Sequence, residues 1–286
     1  MQHTIEIPEA GLKLYMPATL ADCDAQQYMD VCELLHRYHG NKIGYEALRV
    51  QAVYKLLNLE PSNKSLLSSE EDDKWTNIYM ISLLVDGYFE DKDGQKVIQI
   101  NFAHTPVPHI ALAQTYYGPE NYFNDVAFGE YLDALRLFLD FSATGDTALL
   151  YALAAVLYRP RNKIGKKRRN YNPDTVAARA ETFKFLPDGF IYGVFLMFAA
   201  FQKYITTATV PWGGNELDFS ILFEASGDGR LESVPGLGMD DLAFDLAESG
   251  TFGDFDKVRE TNLWTILLQL YKLKKKDLDY KLNEKK

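Results

Sequence analysis

Residues 125–161, DVAFGEYLDALRLFLDFSATGDTALLYALAAVLYRPR, decide the fold class. Phe128, Leu132, Leu135 and Leu139 recur at spacings of four, three and four, which puts them on one helix face. Asp125 stands where an N-cap is expected. Ser142–Gly145 reads as a tight turn, and Asp146 as the cap of a second helix with Leu149, Leu150, Leu153 and Leu157 inward. So short a connection forces the two helices antiparallel.

The same pattern extends in both directions. Asp24 with Gln27 makes a capping box ahead of Tyr28, Cys32, Leu35 and His39, and Gly40 ends that helix. A helix is expected over Tyr45–Leu57, and another behind Ser69 with Trp75, Ile78, Ser82 and Val85 as its inward stripe. Asn172-Pro173 reads as cap and first turn, and Pro187 opens an apolar helix to Ile205. Further helices start at Asp240 and at Thr261 or Asn262. Alternation at Ile5 and Ile7 predicts an extended N-terminus, and Asp93-Gly94 between Gly87–Phe89 and Val97–Phe102 predicts a β-hairpin. Residues 207–239, rich in Gly and Pro, read as a long loop. The expectation is a mainly α protein: one compact multi-helix domain over 1–286 of about eight to ten helices, with a small β-hairpin element. A subdivision into 1–110 and 111–286 is the alternative.

The net charge of −10 hides a division. Residues 159–169, RPRNKIGKKRR, hold seven basic groups and no acid, and residues 272–286 hold seven lysines and three acids. The other 260 residues carry 16 basic and 37 acidic groups, a net −21. An acidic body argues against a protein that coats nucleic acid by neutralising phosphates. Two cysteines, Cys23 and Cys32, are too few for a disulfide framework and suggest a reducing compartment. The N-terminus has no signal-peptide pattern, and the longest apolar run, Gly189–Phe201, has 13 residues where a spanning helix needs about 20. No membrane partner and no cofactor are expected.

The basic segment is the main candidate site. Pro160, Asn162 and Gly165 make it a loop, so Arg159, Arg161, Lys163, Lys166, Lys167, Arg168 and Arg169 are expected to point to water, with Tyr171 available to stack on a base. Such a loop suits docking on an acidic patch of another chain, contact with the acidic body of its own chain or, as the alternative function, gripping phosphates. Cys32, His36 and His39 share a helix face and form a weak metal candidate, against the simpler reading of a core cysteine with two histidines at a helix C-terminus. Gly227-Asp228-Gly229, with Asp218, Glu224 and Glu232 nearby, does not meet the calcium-loop pattern. His104 and His109 offer a general base only if a carboxylate joins them. No nucleophile-elbow, zinc-protease or phosphate-loop motif occurs.

Three stretches, residues 20–59, 125–161 and 240–276, together about two fifths of the chain, resemble proteins of Bacteroidota phages and prophages encoded among tail-module genes. The resemblance is carried by packing and turn patterns. It implies a non-enzymatic role in virion or tail assembly, in the host cytoplasm and in the virion as an alternative end point. The implied partners are other phage structural or assembly proteins, with a homo-oligomer as an alternative. It implies no catalytic residues.

Overall fold

In a computed structural model of the chain, the described residues are 1–7, 11–59, 69–162, 168–207, 209–223 and 239–284. Their strands are β1 (Gln2–Ile7), β2 (Leu12–Pro17), β3 (Phe89–Lys92), β4 (Gln95–Ile98), β5 (His109–Ala111), β6 (Thr115–Tyr117), β7 (Thr209–Trp212) and β8 (Asn215–Asp218). Their helices are α1 (Ala25–His39), α2 (Tyr45–Leu56), α3 (Ser69–Ser82), α4 (Phe128–Thr144), α5 (Thr147–Leu157), α6 (Val176–Phe183), α7 (Asp188–Thr207), α8 (Met239–Glu248), α9 (Phe255–Glu260) and α10 (Leu263–Glu284). The protein is mainly α. Among the described residues the strands form four separate two-stranded antiparallel sheets.

The chain divides into two compact units, residues 1–102 with 185–197, and residues 103–184 with 198–286. In the first, the Asp24–Gln27 capping box forms as read, with the Asp24 carboxylate accepting from the N–H groups of Gln26 and Gln27. Tyr28, Cys32 and Leu35 are buried, and the Tyr28 hydroxyl donates to the Gly193 carbonyl at 2.8 Å. Gly189 lets α1 approach closely, since a Cβ there would overlap the Met29 carbonyl. The β3–β4 hairpin turns at Asp93-Gly94, both with positive φ, and the Phe89 ring meets Tyr45 of α2 edge-on at 5.2 Å. It therefore lies on helices rather than pairing with the N-terminal strand, which pairs with β2. That satisfies the need of an isolated hairpin for a surface.

In the second unit, α4 and α5 form the expected antiparallel pair, with Gly145 in the left-handed conformation and Asp146 capping α5. Phe123 stacks on Phe201 of α7 at 4.1 Å between ring centroids. The α7 helix, whose residues 188–197 count with the first unit and 198–207 with the second, is long and apolar enough to cross a membrane by length and composition alone, yet Phe190, Ile191, Val194, Phe198, Phe201 and Ile205 are buried within the protein. Burial of these side chains accounts for the apolar run.

Four expectations need correction. Trp75 is not inward but 52% exposed, while Ile78, Ser82 and Val85 are buried. It sits at the edge of that stripe, where helical period alone does not choose a side. Leu139 likewise lies 55% exposed at the outer end of α4. Asp125 does not cap α4, which starts at Phe128, because residues 126–128 run extended beside 261–263 through Phe128 N–H to Thr261 O and Leu263 N–H to Val126 O. The loop over 207–239 contains the β7–β8 hairpin, closed by Gly213-Gly214 with both φ values positive. Pro211 lies within β7, which an isolated hairpin allows because its edges are free and tolerate proline. Residues 224–238 lie outside the described residues, as do all of the glycine and acidic positions of the calcium reading except Asp218. The lysine-rich tail continues as helix to Glu284, aided by an Asp277–Lys281 pair at 2.9 Å.

Gly189→Ala is expected to lower stability by about 1–3 kcal/mol, because the added methyl meets backbone rather than a yielding side chain. Urea denaturation reads it out, and an unchanged midpoint would show that α1 and α7 have room to separate.

Candidate functional site: a buried arginine–carboxylate cluster beside a polar cleft

An antiparallel helix pair sets the N-terminus of one helix beside the C-terminus of the other. Here α4 begins next to the end of α5. The first turn of α4 carries Glu130, and the chain leaving α5 carries the basic segment. A carboxylate suits the positive end of a helix dipole and a guanidinium suits the negative end. The last carbonyls of α5 have no partner inside the helix. Arginines supply it: Arg168 Nη1 donates to Leu157 O at 2.6 Å, Arg159 Nη1 to Val156 O at 3.4 Å, and Arg179 Nη1 to Ala155 O.

Glu130 lies between two of these arginines and is completely buried. Arg159 grips it with Nη1 2.9 Å from Oε1 and Nη2 2.9 Å from Oε2. Arg168 Nη1 reaches Oε1 at 3.2 Å and forks onto Asp125, Nε to Oδ2 at 2.6 Å and Nη2 to Oδ1 at 2.8 Å. Two cations and two anions compensate one another. Burial works against both guanidinium charges. For Arg159 it dominates and holds the pKa below the usual value, while for Arg168 the two carboxylates outweigh it and raise the pKa. The Arg159 Nε is buried and has no hydrogen-bond partner among the described residues.

The backbone fixes this arrangement. Tyr117 and Arg159 exchange N–H···O bonds at 2.9 and 3.1 Å, Arg161 faces Arg168 in an antiparallel bridge, and Arg169 N–H bonds Pro160 O at 2.9 Å. The Tyr158 hydroxyl donates to Val107 O at 2.6 Å. Asp133, one turn along α4 from Glu130, accepts from the Tyr171 hydroxyl and from Arg259 Nη2, both at 2.7 Å. Burial and the Asp133 carboxylate together push the Tyr171 phenol well above its ordinary range.

The expectation that the basic segment points wholly to water is therefore wrong for its anchors. Arg159 is 3% exposed and Arg168 8% exposed, because α5 ends in unpartnered carbonyls beside Glu130. Tyr171 is half-buried, its ring 5.5 Å from the Arg159 guanidinium, and it is hydrogen-bonded to Asp133 rather than presented for stacking. Arg161 and Arg169 are exposed, and Arg161 lies 3.8 Å from the centroid of the Tyr117 ring. Lys163, Lys166 and Lys167 lie outside the described residues.

This cluster lines a polar cleft of about 1290 Å³. One wall is the segment around Arg161 and Arg169, and another carries Asp256, Arg259 and Glu260 of α9. The α9 helix, six residues long and capped by Asp254, is too short for its periodicity to be read. The partners of the basic segment did leave a signal. Counting outward from the Gly145–Asp146 turn of an antiparallel pair sets residue 130 opposite about residue 161.

The other sequence candidates lie elsewhere. Cys32 is fully buried, and burial raises its thiol pKa. His36 stacks on Tyr192 at 5.0 Å, and His39 Nδ1 is 2.8 Å from the Tyr192 hydroxyl. These two histidines thus flank a tyrosine, and among the described residues no group of three or more His, Cys, Asp or Glu is placed to hold a metal. His109 is exposed on β5 beside Tyr117, and neither it nor His104 lines the cleft. No protein-family model matches the chain, nor does any curated protein or solved structure compared with it.

Glu130→Gln is expected to cost about 3–5 kcal/mol, since it leaves two buried guanidiniums with one carboxylate. Arg136→Gln, at an exposed ion pair on the same helix, changes stability by less than about 1 kcal/mol. Thermal unfolding of both variants compares them. Burial holds His36 and His39 below the ordinary 6.5. The unfolded chain therefore takes up protons first as pH falls. This contribution to stability is complete above pH about 6.5 and declines below it toward the folded values. His39→Gln should flatten the fall in unfolding free energy between about pH 7 and 5. An unaltered slope would remove His39 from that dependence.

Proposed function

We propose that this chain is a non-enzymatic phage structural or tail-assembly protein that works by binding other phage proteins. The observation that carries the reading is a row of large apolar side chains left in water on the first unit. Trp75, Tyr79 and Leu83 follow one another at spacings of four, with Met80 alongside, and all are exposed. Single exposed apolar residues need no explanation, but four large apolar side chains exposed together along α3 and at the start of the turn that follows it suit a contact surface. Its composition, two aromatics and a methionine with Arg49 packed 5.7 Å from the Tyr79 ring centroid, is that of the buried centre of a protein interface. The occupant that fits is a protein partner presenting an apolar patch of its own. The likeness of residues 20–59, 125–161 and 240–276 to tail-module proteins supplies the phage context. The burial of Arg159 and Arg168 in ion pairs weakens the alternative of a phosphate-gripping loop, because it removes two of its seven cations.

Co-expression with the neighbouring tail-module proteins, followed by size-exclusion chromatography, tests the proposal. Wild-type chain is expected to co-elute with a partner. Trp75→Glu with Met80→Glu should abolish co-elution while changing stability by no more than about 0.5 kcal/mol per site, as for surface positions. A wild-type chain that stays monomeric with every neighbour would overturn the reading.

A further inference from the structure

We propose that the polar cleft beside the Glu130 cluster binds an extended acidic peptide segment of a partner protein. This rests on the reading that the chain works through other proteins, but it concerns a second surface, built entirely within the second unit.

Size comes first. At about 1290 Å³ the cleft exceeds the roughly 300–1,000 Å³ of a small-molecule pocket, so a chain of several residues fits it better than one compact ligand. Rigidity comes second. The floor is held by the fork pairs of Arg159 and Arg168 and by the bond between Arg259 and Asp133. A surface that is already ordered loses little freedom on binding.

Charge then selects the ligand. Arg159, Arg168 and Arg259 have carboxylates of the protein itself as partners. Among the described residues no carboxylate pairs with Arg161 or Arg169, and both are exposed in the cleft wall. Arg161 is held against the Tyr117 ring, which leaves the edges of its planar guanidinium free for a carboxylate. The antiparallel pairing of Arg161 with Arg168 fixes the backbone from which Arg161 and Arg169 project. Asn162 and Asn170, exposed in the same wall, each offer a donor and an acceptor, the complement of a peptide backbone. Glu120, Asp256 and Glu260 line the same cleft. They oppose a ligand as densely charged as nucleic acid, whose binding needs many phosphates neutralised together. A peptide with a few spaced carboxylates can meet two arginines and still avoid those acids.

Fluorescence anisotropy of the full chain at low salt tests this with three labelled probes: a decapeptide carrying spaced glutamates, its all-glutamine analogue, and a single-stranded DNA of matching length. The acidic peptide is expected to bind at least about tenfold more tightly than the glutamine analogue. Arg161→Gln with Arg169→Gln should remove that difference without changing the unfolding temperature, whereas Arg136→Gln, outside the cleft, should leave it intact. No binding of the acidic peptide, equal binding by its glutamine analogue, an undiminished preference in the double variant, or tighter binding of the DNA would each overturn the proposal. Failure here is separable from failure of the proposed function. If the double variant still co-elutes with a tail-module partner, the assembly role stands and the cleft is not its peptide site.

Discussion

Glu130 is the residue on which the second unit depends. Its carboxylate, with no exposure to solvent, touches the guanidiniums of two arginines that also close the end of α5. The cause is geometric. Two antiparallel helices joined by a short turn bring a positive dipole end beside a negative one, and the charges that complement those ends then lie within reach of each other. A charge buried without its partner costs several kcal/mol, so Glu130, Arg159, Arg168 and the Asp125 that Arg168 also grips hold their places as a set. They fix where the basic segment leaves the helix pair, and through it which cations reach the surface.

That arrangement changes the meaning of the net charge of −10. Arg159 and Arg168 neutralise Glu130 and Asp125 inside the protein and contribute little to the outer field. Arg161 and Arg169 remain as exposed cations on a wall of the cleft, facing a lining that also contains acids. The first unit has a different surface chemistry, apolar rather than charged, along Trp75, Tyr79, Met80 and Leu83. The two surfaces suit different kinds of contact: desolvation of aromatic area at one, placement of a few charges at the other.

Helix type and most helix ends were legible because their signals are local. The Asp24–Gln27 box, Gly40, Gly145, Asp146 and Asn172-Pro173 each act within a few residues, and the structure uses all of them. Asp93-Gly94 acts the same way for a hairpin. Asp125 failed as a cap because a distant segment, residues 261–263, holds the chain extended there. The β7–β8 hairpin was hidden by its own glycines and by Pro211, and α9 by its brevity. Of the candidate site, the location of the basic segment was legible. The division of its arginines into buried anchors and exposed groups was not, because that depends on which carboxylates approach from α4.

Composition and period alone determined that this chain folds as a mainly helical protein with an acidic body and a basic segment following an apolar helix pair. Those properties follow from side-chain spacing and from charges counted along the chain. Only the tertiary structure decided which side of its stripe Trp75 takes, which arginines meet Glu130, and that a cleft opens beside them. The physical reason is that burial and ion pairing are properties of neighbours in space. Counting from the helix turn sets residue 130 opposite about residue 161, but which side chains there meet the Glu130 carboxylate is decided only when the two helices lie side by side.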